Sequence, residues 1–137
     1  MSDTKTLYTA HVHVTGGREG AARSSDGRLA LALAVPGSPG TGTNPEQLFA
    51  AGWSACFEGA LGIAARSKGV TLPADLAIDA EVDLRHGEDG YSLAARLNVS
   101  VPGLKPEIAR QLIEAAHRTC PYSKAIKGNI DAIVRLV

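Results

Sequence analysis

Apolar and polar residues alternate with period two over Leu76, Ile78, Ala80, Val82 and Leu84, with Asp79, Glu81, Asp83 and Arg85 between them. The same period returns in Leu93, Ala95, Leu97, Val99 and Val101, after the link His86-Gly87-Glu88-Asp89-Gly90. Successive side chains of a strand point to opposite faces, so the two runs predict a β-hairpin with one face buried. Strands are also expected near residues 6–14, 20–25 and 28–35, with Asp26-Gly27 as a hairpin turn, and over Ile130 to Val137.

Residues 44–69 follow a different pattern. Asn44 suits an N-cap, Pro45 the first helical position, and Gln47 completes a capping box. From Leu48 to Ala65 the residues are apolar almost all round, which predicts a helix buried on most sides. Gly52, Gly59 and Gly62 each cost roughly 1 kcal/mol relative to alanine, so close packing against this helix is expected. Gly69 supplies the stop. At 1.5 Å per residue the helix would be about 35 Å long. Pro106 to Thr119 reads as a second helix, with Ile108, Leu112 and Ala116 on one face, and Pro121 to Lys127 as a short third, ended by Gly128. The order βββ-α-ββ-α-α-β predicts an α+β protein with antiparallel sheet around a long, buried central helix. The Pro/Gly-rich stretch 36–43 is then a loop within a single domain spanning 1–137.

Composition narrows the partners. The 14 basic and 14 acidic residues cancel, with no basic stripe, so neither nucleic acid nor an anionic membrane is an expected partner. The start, MSDTKTLYTAHV, carries no apolar signal region, and the uncharged run Leu48 to Phe57 is far shorter than the ~20 residues of a membrane span. A cytoplasmic protein is expected. Two cysteines 64 residues apart in a reducing compartment are not expected to form a permanent bridge, and they do not fit a zinc pattern.

Cys56 lies within the most apolar helix and Cys120 at a helix start. Free cysteine often only packs, and that reading stands beside a reactive one. A helix N-terminus favours the thiolate, which argues for reactivity at Cys120. His11 and His13 share a strand face without a third ligand nearby, so no metal is expected. His117, three residues before Cys120, lacks the orienting group and oxyanion hole of a protease pair.

The segment Thr43-Asn44-Pro45-Glu46-Gln47-Leu48-Phe49-Ala50-Ala51-Gly52-Trp53-Ser54-Ala55-Cys56-Phe57 resembles the signature of the organic hydroperoxide resistance (Ohr) proteins of the wider Ohr/OsmC family. Matching blocks follow in order across nearly the whole chain: Leu7-Tyr8-Thr9-Ala10, Gly16-Gly17-Arg18-Glu19-Gly20, Ser24-Ser25-Asp26-Gly27, Leu72-Pro73-Ala74-Asp75, Val101-Pro102-Gly103-Leu104, Cys120-Pro121-Tyr122-Ser123 and Gly128-Asn129-Ile130-Asp131. The resemblance implies that Cys56 is the peroxidatic cysteine, Cys120 the resolving cysteine, Arg18 the active-site arginine, and Glu46 the carboxylate that orients it. It further implies an intertwined homodimer with active sites at the subunit interface. The implied reductant is a dihydrolipoyl group on a lipoylated protein, with no bound cofactor.

The residue types suit that chemistry. A thiolate must attack the O–O bond, since a thiol is a poor nucleophile. An arginine stays charged and can stabilise both thiolate and leaving alkoxide, and a carboxylate can clamp its guanidinium. The sulfenic acid left on Cys56 would condense with Cys120 to a disulfide, which a dithiol reopens. Phe49, Trp53, Phe57 and Leu61 could line a greasy site for alkyl or fatty-acid hydroperoxides; ordinary core is the competing reading for each. Glu46 and Cys56 lie ten residues apart, ~15 Å on a straight helix. That is too far for Glu46 to hold an arginine against the cysteine of its own helix, so the Arg18–Glu46 pair is expected to serve Cys56 of the other subunit. Arg18 as a solvated turn residue and Glu46 as a first-turn acid are the bland alternatives.

Loop 36–43 is shorter than the Gly-rich loop common in the family, and Trp53 stands where tyrosine is frequent, which leaves the preferred peroxide open. An OsmC-branch peroxidase and a non-catalytic hydrophobic-ligand or redox-sensing protein are the competing functions.

Overall fold

The computed structural model describes residues 3–137, which form two compact units meeting at Pro45 and Glu46. The first unit holds three short strands, β1 (Val12–Thr15), β2 (Ala21–Ser24) and β3 (Ala30–Ala32), with a 3₁₀ turn over Gly17–Glu19. They form an antiparallel sheet in the order β1-β2-β3. Asp26-Gly27 forms the turn between β2 and β3. Asp26 Oδ1 accepts from Ser24 Oγ at 2.6 Å and from the Arg28 N–H at 3.0 Å, while Gly27 takes a positive φ of 77°. Strand structure begins at Val12 rather than residue 6. β2 is four residues long and its last residue, Ser24, already faces Val12, so the earlier alternation has no ladder to join. Leu7 and Tyr8 are strongly exposed.

The second unit contains α1 (Pro45–Ser67), β4 (Ala77–Gly87), β5 (Gly90–Ser100), α2 (Pro106–Thr119), α3 (Pro121–Ile126) and β6 (Asp131–Leu136). Its long hairpin pairs Ile78 with Val99, Ala80 with Leu97 and Val82 with Ala95, as the period-two runs predict. The connection is tighter than expected: Gly87 pairs with Gly90, leaving Glu88-Asp89 as a two-residue turn. One expectation is corrected. β6 runs parallel to β5, because the connection crosses through two helices and returns the chain to the starting end.

α1 is unbroken over 23 residues. Gly69 ends it at φ 67°, letting the Val70 N–H reach back to the Ala65 carbonyl at 2.8 Å. By length and composition α1 could cross a membrane. Instead its Trp53, Phe57, Ala60, Leu61 and Ala65 join Ala95, Leu97 and Val99 of β5 and Leu112, Ile113 and Ala116 of α2 in one core. The burial differs from the expectation of a helix covered on most sides. Among the described residues one face of α1 is covered by the core, while Ala51, Ala55, Gly59 and Ile63 are exposed, Ile63 by 63%.

Candidate active site

Cys56 sits at mid-length on α1, half-buried at the edge of the core. Cys120 occupies the joint between α2 and α3. Pro121 disfavours helical geometry in the residue before it, and Cys120 accordingly has φ −61° and ψ 123°. Its N–H still closes α2 on the Ala116 carbonyl at 2.8 Å, and its carbonyl accepts the Lys124 N–H of α3 at 3.0 Å. The side chain at this bend is fully buried. Its Sγ lies 3.5 Å from Cys56 Sγ, and both cysteines are free thiols. Residues 64 positions apart are thus in contact, at a separation that must shrink to about 2.05 Å when a disulfide forms.

Burial pushes the Cys56 thiol up, because the thiolate loses solvation there. A hydrogen bond from the backbone N–H of Tyr122 opposes this, and the neighbouring Cys120 reinforces it. The first-turn Tyr122 amide at the start of α3 thus acts on Cys56. Pro121 has no N–H, which leaves Tyr122 as the first donor of α3.

Aromatic residues of α1 and α3 pack on one another beside the cysteines in sequence. Phe49 stacks with Trp53 at 6.0 Å and with Tyr122 at 6.3 Å between centroids. Trp53 Nε1 donates to Ser123 Oγ at 3.0 Å, both groups being buried. Gly52 gives the Tyr122 ring its place, since a Cβ there would come within 2.7 Å of Tyr122 Oη and 3.1 Å of Cζ. Of the four residues expected to line a greasy site, Trp53, Phe57 and Leu61 are fully buried core, with no surface to offer a ligand in this chain. Phe49 is only partly buried, and Tyr122 is 41% exposed. Sequence reasoning gave Tyr122 and Ser123 no role, although Cys120-Pro121-Tyr122-Ser123 stood out as a block.

Glu46 lies in the first turn of α1. Ten residues of unbroken helix separate it from Cys56, about 15 Å along the axis. Arg18 lies in the 3₁₀ turn of the first unit, preceded by Gly16 and Gly17 with positive φ. His117 packs its ring 6.4 Å from that of Phe57; burial and, secondarily, the Lys127 charge lower its pKa. His13 faces Arg23 across β1 and β2, while His11 falls just outside β1. Among the described residues no three His, Cys, Asp or Glu side chains gather as a metal site.

The family described as OsmC-like protein matches residues 37–135. The chain is 45% identical to an organic hydroperoxide resistance protein of Xanthomonas axonopodis pv. citri over 139 residues, 98% of each protein. The crystal structure of the organic hydroperoxide resistance protein OhrB of Bacillus subtilis superposes with a TM-score of 0.90 at 42% identity, covering 96% of this chain and 100% of that one. A Vibrio cholerae structure named for organic hydroperoxide resistance, with captopril in one of its active sites, superposes with a TM-score of 0.90 at 39% identity, over 98% of this chain and 95% of its own.

Proposed function

This chain belongs to the OsmC-like family and, within it, to the organic hydroperoxide resistance proteins, and from that premise we propose that it is a cysteine-based peroxidase of organic hydroperoxides. The observation that carries the reading is the 3.5 Å separation of the Cys56 and Cys120 sulfurs. The Cys56 thiolate attacks the terminal peroxide oxygen: an S–O bond forms, the O–O bond breaks, and the alkoxide takes a proton to leave as the alcohol. Cys120 then attacks the sulfenyl sulfur, forming the disulfide and releasing water. Because the two sulfurs already touch, this second step outruns further oxidation of Cys56.

The first step needs a thiolate, and burial disfavours one. Arg18 is assigned to supply the missing positive charge and to stabilise the leaving alkoxide, with Glu46 fixing the guanidinium. The long helical separation of Glu46 from Cys56 supports a pair that acts across a dimer. The exposed apolar residues of both units, Leu7, Tyr8, Val12 and Val14 in the first and Ile63 in the second, support a homodimer as the working state. Phe49 and the exposed part of Tyr122 are assigned to the alkyl group of the peroxide.

A dihydrolipoyl group on a lipoylated protein is assigned as the donor. Its first thiol opens the bridge as a mixed disulfide, and its second closes the lipoyl ring and returns both cysteines to thiols. Captopril is itself a thiol, and its place in the active site of the Vibrio cholerae relative agrees with a small thiol reaching this one. The cytoplasm, where thiols are kept reduced, is the compartment assigned. Cumene hydroperoxide consumption with dihydrolipoamide as reductant tests the reading. Cys56→Ser is expected to abolish turnover, and unchanged consumption by that variant overturns the peroxidase assignment.

A further inference from the structure

Two contacts run side by side where α1 meets the start of α3. One joins the sulfurs of Cys56 and Cys120 at 3.5 Å. The other joins Trp53 Nε1 to Ser123 Oγ at 3.0 Å. Trp53 lies three residues before Cys56 on α1, and Ser123 lies three residues after Cys120. On a helix that offset places side chains on the same face, so the hydrogen bond forms a second rung beside the sulfur pair. Both its groups are essentially sealed from solvent, where a directional bond between two fixed side chains is stronger than at the surface and costly to leave unmade.

We propose that Trp53 and Ser123 are positioning residues, whose hydrogen bond holds the start of α3 against α1 so that Cys120 stays in closing distance of Cys56. α3 is only six residues long, and the segment beyond it, through Asn129, is turn until β6 begins. A helix this short gains little stability from its own ladder. The Trp53–Ser123 bond, the seat of Tyr122 on Gly52 and the Phe49–Tyr122 stack hold its first turn, and the first of these is the only one that ties a buried side chain of α3 to α1 by a side-chain hydrogen bond among the described residues. Without the bond the Cys120 end must be ordered each time the bridge closes, and the entropy of that ordering falls on disulfide formation. The proposal rests on the peroxidase reading for the purpose of the bridge, but its test does not.

The test is a titration of the full chain against mixtures of reduced and oxidised glutathione. One glutathione disulfide takes two electrons and two protons from Cys56 and Cys120, giving the protein disulfide and two molecules of glutathione. The midpoint reports the effective concentration at which the fold presents the two sulfurs to each other. Trp53→Phe and Ser123→Ala are each expected to lower it by about three- to tenfold, the weight of one net hydrogen bond. The double variant should fall no further than the single ones, since the two residues act as one device. Ser123→Thr, which keeps the hydroxyl, should stay within about twofold of wild type. Far-UV circular dichroism with a cooperative urea transition establishes that each variant is folded, and Ser123→Ala, which removes one oxygen atom, decides if Trp53→Phe does not fold. Midpoints equal to wild type in the folded single variants overturn the proposal. Peroxide consumption plays no part in the titration, so failure here is distinct from a Cys56→Ser variant that still consumes peroxide.

Discussion

At the scale of single residues, the reactivity of Cys56 is a balance between opposing neighbours. Burial raises its pKa, the Tyr122 amide lowers it, and Cys120 raises it again through its hydrogen bond and charge. Replacing Cys120 by alanine removes that last influence and opens room for water beside Cys56, and both changes favour the thiolate. The rate of iodoacetamide alkylation of Cys56 should therefore rise at lower pH in Cys120→Ala than in wild type. An unmoved or upward-shifted profile would show that the sulfur contact does not govern the titration. The same variant lacks the resolving thiol, so a small excess of cumene hydroperoxide should drive Cys56 to sulfinic acid, read by mass as a gain of two oxygens. The cysteines, Arg18 and Glu46 could all be picked from ordered sequence blocks. Tyr122 and Ser123 could not, because one acts through its backbone and the other bonds a side chain 70 residues away. Neither relation leaves a periodic trace in the chain.

At the scale of elements, the β4–β5 hairpin shows how far patterning reaches. Alternation told which residues face the core, and Ala95, Leu97 and Val99 are there. It could not tell the direction of β6, since a strand alternates identically whether its neighbour runs parallel or antiparallel. Direction came from the helical crossover. The outward face of the hairpin carries charges that interlock. Arg96 donates through Nη1 and Nη2 to both oxygens of Asp83, at 3.0 and 2.7 Å, and through Nε to Glu81 at 3.1 Å. Arg96 beside Asp83 holds its carboxyl below the ordinary value of 3.8. A carboxyl whose folded pKa is depressed contributes stability above its unfolded pKa and loses it as pH falls through the folded one. Urea denaturation midpoints should thus drop between pH 6 and pH 3 by more in wild type than in Asp83→Asn. Parallel pH dependence in the two proteins would show that the pair is too well solvated to matter, as many exposed ion pairs are.

At the scale of the whole molecule, the features that the single chain leaves unused point the same way. α1 is apolar almost all round yet covered on one face, a Cβ at Gly59 would meet nothing beyond its own stretch of helix backbone within 4 Å, and Leu7 and Tyr8 are bare. Meanwhile Glu46 lies at one end of an unbroken helix and Cys56 near its middle. If Arg18 and Glu46 serve the cysteine of a second copy, two differently damaged chains should repair each other. Arg18→Ala retains a sound Cys56, and Cys56→Ser retains a sound Arg18, so each homodimer is inactive by itself. Mixed in equal amounts through unfolding and refolding, half of the dimers combine one chain of each kind. Each of these contains one complete site if the arginine acts across the two-fold axis, and none if it acts within its own chain. Recovered peroxide turnover should then approach about a quarter of the wild-type value. Activity no greater than that of the separate variants would assign Arg18 to the cysteine of its own chain, and the helix separation of Glu46 from Cys56 would have to be bridged some other way.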